Sequence, residues 1–141
     1  MPKDPFLRIT RILPAPPDVV FQAWTDAEGM RTWFCPADTM THAEASLDVR
    51  PGGKWRIAMH GEGVYVQEGE YLEVDPPRKL VMTWRSEMLE NKDTTVTVEL
   101  APHGSGETEL TKTHEAFNNA ANRDGYEGGW GAIAEKLGRH L

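Results

Sequence analysis

A chain of 141 residues with a formal charge of −7 is long enough to bury its own core without metal or disulfide help, and its length fits a single domain over 1–141. The charge argues against a nucleic-acid partner, which requires a clustered basic surface, and no window approaches the roughly 20 apolar residues of a membrane span. The one cysteine, Cys35, excludes an internal disulfide and, with no apolar signal core near Met1, fits a cytoplasmic setting.

Residues 6 to 13 alternate imperfectly and read as a strand ending at Pro14-Ala-Pro-Pro17. The prolines suit a helix start, and Val19, Val20, Ala23, Trp24 and Ala27 form a short apolar stripe that Gly29 interrupts. Met30 to Phe34 reads as a second short helical turn closed by Cys35-Pro36. From Thr41 the period becomes two: Ala43, Ala45, Leu47 and Val49 share a face, Arg50-Pro-Gly-Gly53 turns, and Trp55, Ile57 and Met59 share the next. A long strand follows from Val64 to Val74, which Gly69 is expected to bend or bulge, and in which Tyr71 and Glu73 share one face. Leu80, Met82 and Trp84 alternate next; beyond a polar loop at Glu90 to Asp93 come Val96, Val98 and Leu100, then a turn at His103 to Gly106 and a last strand to about Glu115. Phe117 to Arg123 reads as a connection. Gly125 to Leu141 reads as an amphipathic helix with Tyr126, Trp130, Ile133, Ala134, Leu137 and Leu141 on one stripe.

The expected fold is therefore α+β: a curved seven-stranded antiparallel sheet around a long C-terminal helix, with two short helices after the first strand. Four segments carry a family resemblance: Asp48-Val-Arg-Pro-Gly-Gly-Lys-Trp-Arg-Ile57, Gly69-Glu-Tyr-Leu-Glu-Val-Asp-Pro-Pro-Arg-Lys-Leu-Val-Met-Thr-Trp84, Thr108-Glu-Leu-Thr-Lys-Thr-His-Glu-Ala-Phe117 and Gly128-Gly-Trp-Gly131. In this order they resemble the activator-of-heat-shock-protein-90-ATPase homologue-like domains of the START-like (SRPBCC) superfamily, over about Ile9 to Leu141. The resemblance implies a helix-grip fold with a cavity between sheet and helix, and binding or transport of apolar ligands. Some branches of the superfamily are cyclases or other enzymes. The co-chaperone activity of the eukaryotic namesake also involves a separate N-terminal domain that these residues lack, so direct chaperone activation is not expected.

In such an arrangement the helix offers Trp130, Ile133 and Leu137 to the cavity, the strands offer Trp55, Ile57, Met59, Leu80, Met82, Trp84, Val96, Val98 and Leu100, and the short helices offer Trp24, Trp33 and Phe34. Five tryptophans suit a pocket gripping a flat or apolar ligand, although buried aromatics are more often plain core. The polar residues in apolar register say more. With Leu110 inward, period two puts Thr108, Lys112 and His114 on the same face, where Lys112 and His114 could bind an anionic or hydrogen-bonding head group. A bulge flipping the register, or Lys112 snorkelling to the rim, is the account slightly preferred, since register read from sequence slips easily by one.

Tyr71 could hydrogen-bond within the pocket, and Glu70 or Glu73 could serve acid–base chemistry, though solvated glutamates are the commoner outcome. Gly125 to Gly131 lacks the spacing of a nucleotide fingerprint, and small residues there fit a helix start lying close against the sheet. His42-Ala-Glu44 matches half of a zinc-deaminase signature without the cysteines that complete it, and His60, His103 and His140 fall in turns or at the terminus, so no metal site and no cofactor is expected. Cys35 fits an inert packed thiol. Three readings follow: a non-enzymatic domain binding a small apolar or amphipathic ligand, in a stress-related accessory role; a cavity enzyme of the cyclase, dehydratase or hydrolase kind using His114, Glu73 or Tyr71; and a homodimeric or chaperone-interaction module. The first is preferred because the sequence supplies isolated candidates and no convergent acid and base.

Overall fold

A computed structural model describes residues 2–34 and 41–141. Cys35 and Pro36 lie outside the described residues. The elements run β1 (Leu7–Leu13), α1 (Pro17–Thr25), α2 (Ala27–Trp33), β2 (His42–Leu47), β3 (Lys54–His60), β4 (Val64–Asp75), β5 (Lys79–Ser86), β6 (Thr94–His103), β7 (Glu107–Glu115) and α3 (Ala120–His140), with a 3₁₀ turn at Glu87–Leu89 between β5 and β6. All pairings are antiparallel. Strands β2 to β7 form a meander, and β1 returns across the sheet to pair with β7, giving the order β1-β7-β6-β5-β4-β3-β2. The curled half-barrel grips α3, whose Trp130, Ile133, Ala134 and Leu137 are buried while Tyr126 and Leu141 pack partly buried at its two ends. This is the helix-grip α+β fold.

Local chemistry moves several boundaries from their sequence-based positions. The break between the short helices falls at Asp26, not Gly29. The Asp26 carboxylate accepts the Glu28 amide at 3.2 Å and caps α2. Gly29 lies inside that helix, where a Cβ would come within 2.9 Å of the capping carboxylate. Helix α3 begins five residues before Gly125, because the Asn119 side chain accepts the Asn122 amide at 2.8 Å and starts the helix at Ala120.

Strand β4 bulges between Tyr71 and Glu73, not at Gly69: Tyr71 pairs with Met82 and Glu73 with Val81, leaving Leu72 as the extra residue. The bulge separates the faces of Tyr71 and Glu73. Tyr71 is buried with Met82, whereas Glu73 lies outward, 3.9 Å from Lys79. Gly69 answers a different need, since a Cβ there would sit 1.9 Å from the Thr83 carbonyl of β5.

The register of β7 follows period two without a flip. Thr108, Leu110, Lys112 and His114 are all buried, and Lys112 sits between Ile9 of β1 and Val98 of β6. At the end of the strand pair the Thr108 hydroxyl donates to the Ala15 carbonyl at 2.7 Å, fixing where β1 hands over to α1.

Candidate functional site

Aromatic rings fill the middle of the grip. Trp24 and Trp33 meet edge to face at 5.4 Å, Phe34 stacks on Trp84 at 6.0 Å, and Trp130 reaches Trp84 at 4.9 Å and Phe34 at 5.8 Å. Trp55 lies against the far side of Trp84 at 4.2 Å. Into this cluster β7 sends Lys112, 1% exposed, with Nζ 3.5 Å from the Trp130 ring centre and 4.2 Å from that of Trp24. Burial pushes the amine well below the ordinary lysine range, and among the described residues no carboxylate offsets that shift. The two indole faces are what favours the ammonium there.

His114 has no free ring nitrogen. An indole N–H can only donate, so the 3.0 Å bond from Trp130 Nε1 makes His114 Nδ1 an acceptor and places the neutral ring's proton on Nε2. That proton goes to Thr94 Oγ1 at 2.6 Å, and the Thr94 hydroxyl donates in turn to the Trp84 carbonyl, also at 2.6 Å. Burial first, and the neighbouring Lys112 second, hold the imidazole well below its ordinary pKa. The ring is boxed by Phe117 at 4.2 Å and Tyr126 at 5.1 Å. His114 is thus a buried link between β7, β6 and α3, with nothing left to offer a head group.

The open space lies to one side of this cluster, between the first half of α3, the start of β4, the end of β5 and the 3₁₀ turn. A cleft of about 610 Å3 is walled there by Phe34, Met59, Trp84, Trp130 and Ile133 among the sequence-derived candidates. Trp24, Trp33, Trp55, Ile57, Tyr71, Met82, Val98 and Leu137 are buried core residues outside that wall, and Lys112 and His114 lie behind it. Tyr71 is sequestered, with burial and then Asp48 pushing its phenol above the usual range.

The polar end of the cleft was not anticipated. Gln67 Oε1 accepts from Trp84 Nε1 at 2.6 Å and from the Tyr126 hydroxyl at 2.6 Å. Because Trp84 can only donate, the oxygen must face it, which orients the amide. The Tyr126 proton being spent on Gln67, the Ser86 hydroxyl donates to Tyr126 across 2.8 Å. Burial raises the Tyr126 pKa while these hydrogen bonds oppose it. The hydrogen bonds that the Gln67 side chain makes among the described residues all fall on its oxygen, which leaves the two Nε2 donors to the cleft that the side chain lines.

The signal for Gln67 was the same as for Lys112. Counting back by two from Tyr71 along β4 places a polar side chain in apolar register, opposite inward-facing Ile57 of β3. The α3 glycines also take a different role from close packing. Cβ atoms built at Gly125 and Gly128 meet nothing within 4 Å, and Gly125 and Gly129 both line the cleft.

Fold and site together define a START-like helix-grip protein: a half-barrel closed on a C-terminal helix, with a cleft left beside the helix. Its family follows from the match of residues 14–141 to the family described as Activator of Hsp90 ATPase homolog 1-like protein, to which the chain belongs. Among solved structures it is similar to protein CV1439 from Chromobacterium violaceum, with 25% identity over 95% of this chain and 94% of that one, at a TM-score of 0.81. It is similar also to PFC0360w, an HSP90 activator from Plasmodium falciparum, at 28% identity over 89% and 86% of the two chains and a TM-score of 0.70. CalU16 from Micromonospora echinospora shares 26% identity over 94% of this chain and 71% of its own, with a TM-score of 0.71. No curated protein matches the chain in sequence. Among the described residues, no helix is long and apolar enough to cross a membrane.

Proposed function

We propose that this chain is a one-domain, cytoplasmic binding protein for a small amphipathic molecule. The ligand's apolar body lies against Phe34, Trp84, Trp130 and Ile133, and its carbonyl or hydroxyl oxygen accepts from the Gln67 amide. The observation that carries this reading is the Gln67 side chain: its oxygen is saturated from inside the protein and its two donors remain for something in the cleft. The half-barrel supports it by leaving space beside the helix, and the family's fold is consistent with it.

Acid–base catalysis is the weaker account. Among the described residues the cleft wall holds neither histidine nor lysine, its two carboxylates, Glu68 and Glu87, are exposed, and Glu73, one of the bases considered, lies outside that wall. A protein partner at the cleft mouth has one specific observation in its favour: Val64, Tyr65 and Met88 are half or more exposed there. The Plasmodium protein's description as an HSP90 activator makes a chaperone client or co-factor the partner to try.

The deciding experiment is titration of fatty acids, sterols and aromatic polyketides against tryptophan fluorescence, with native mass spectrometry for stoichiometry. A saturable 1:1 complex is expected from at least one class. Ile133→Phe, which grows into the cleft, should abolish it, and Gln67→Leu should weaken it about fivefold, the worth of one neutral hydrogen bond. Binding that survives in a folded Ile133→Phe protein would refute the site, and no complex with any class, alongside a stable dimer or chaperone complex, would favour the mouth as a protein interface.

A further inference from the structure

The outer face of the β2–β3 hairpin carries a second cluster, remote in chemistry from the cleft. Ala43 and Met59 point into the core, so their strand neighbours His42, Glu44 and His60 point out. The hairpin register pairs His42 directly with His60 and sets Glu44 two residues along on the same face. The two imidazoles lie parallel, 4.6 Å apart and inclined by 4°, and both turn Nε2 toward one carboxylate oxygen: Glu44 Oε1 is 2.9 Å from His60 Nε2 and 3.8 Å from His42 Nε2. One ligand atom from each residue falls within 4.8 Å of the others.

The second nitrogen of His42 is already occupied. Its Nδ1 lies 3.0 Å from Thr41 Oγ1, and the Thr41 hydroxyl lies 3.3 Å from the His60 carbonyl. With the single hydroxyl proton directed to that carbonyl, Thr41 Oγ1 accepts from Nδ1–H. His42 Nε2 then presents a lone pair to a carboxylate oxygen, an arrangement that a cation between them would turn from repulsive to attractive.

We infer that His42, Glu44 and His60 form a binding site for a divalent transition-metal ion of the zinc class, with a coordination position left open to solvent. Two imidazoles and a carboxylate are a borderline donor set that suits zinc better than magnesium or calcium, which prefer oxygen alone. Ligand atoms on one tetrahedral zinc stand about 3.3 Å apart, so the exposed side chains must shift by about 1 Å, and the two rings, parallel as they stand, must tilt toward each other to bring both in-plane lone pairs onto one ion. Binding replaces the proton on His60 Nε2 with the metal and releases it, while Thr41 continues to hold the His42 ring from behind. The hairpin pairing creates the site: the two histidines lie 18 positions apart in the chain, a spacing that matches no short metal motif.

The test is calorimetric titration of Zn2+ into the metal-stripped full chain, with visible absorption of Co2+ as a coordination probe. One equivalent of Zn2+ should bind, Co2+ should give tetrahedral or five-coordinate d–d bands, and excess Mg2+ should not compete. His60→Ala and Glu44→Gln should each weaken binding by at least about tenfold, and Thr41→Val by about tenfold through loss of ring orientation. His103→Ala, at the end of β6 and outside the cluster, should change nothing. These surface variants should keep the circular dichroism of the parent. Two results overturn the site: no Zn2+ uptake, which leaves only a histidine–carboxylate contact, or uptake undiminished when His42 and His60 are both replaced by Ala. Neither bears on the cleft, whose test runs without metal.

Discussion

Lys112 makes folding stability rise with pH on the alkaline side of neutrality. Its amine is pushed well below the ordinary lysine value of 10.5 by burial. Between the folded and unfolded pKa values the unfolded chain therefore holds one proton more than the folded chain. Stability must increase with pH across that window, by about 1.4 kcal/mol per unit for one proton. For a window that reaches down to about pH 8.0, the gain up to about pH 9.5 is roughly 2 kcal/mol. The upper limit avoids the tyrosines: burial raises the phenols of Tyr71 and Tyr126, so above about pH 10 the unfolded chain loses protons first and stability falls again. Urea unfolding of the parent and of Lys112→Met at the two pH values measures the difference. The parent should gain about 2 kcal/mol and Lys112→Met, apolar and of similar reach, should stay nearly level. Equal slopes in the two proteins would refute the reasoning and mean that Trp24 and Trp130 hold the ammonium charged by themselves.

His114 sets the acid side. Its folded pKa is lowered by burial and by Lys112, so stability is fully present above the unfolded value of 6.5 and is lost as pH falls below it. Between about pH 6.5 and about pH 5.5 the loss should reach about 1 kcal/mol, the unfolded imidazole being only half protonated at the upper limit, and His114→Phe should flatten that slope while lowering stability at pH 7 by about 1 to 3 kcal/mol through the orphaned Thr94 and Trp130 partners, both readable by urea unfolding. Gly128→Ala should stabilise the chain by about 1 kcal/mol, since the position is helical and a Cβ there meets nothing; differential scanning calorimetry would show a Tm higher by about 3 °C.

The strand order and the gripped helix were legible because their signals are periodic and redundant. Trp55, Ile57 and Met59, or Trp130, Ile133 and Leu137, each announce one face by repetition. The inward register of Lys112 and His114 follows the same period, but the sequence leaned slightly toward a flipped register or a snorkelling lysine there, and their partners were not legible: which indole faces the amine, and that Trp130 donates to His114, depends on the approach of α3 to β7. The α3 start and the break at Asp26 were misplaced because each is decided by one side chain capping a backbone amide, a contact outside any period. The β4 bulge hid the separation of Tyr71 from Glu73. Cross-strand pairing hid the His42, Glu44 and His60 cluster, since the residues meet only once a hairpin register exists.

The glycines of α3 do two things at once. By withholding side chains, Gly125 and Gly129 leave the hollow beside Trp130, and each also removes helix propensity, about 1 kcal/mol against alanine. The glycine-bearing segment of α3 from Gly125 to Gly129 is thus intrinsically the weaker, while the segment carrying Ile133, Ala134 and Leu137, which also lends Ile133 to the cleft wall, is anchored by burial. A receptor wall that is soft at one end and clamped at the other can yield to occupants of different girth without unseating the helix. Breadth of ligand and persistence of fold are set by separate turns of the same element, and Gly128→Ala, by stiffening the soft turn alone, trades the first for more of the second.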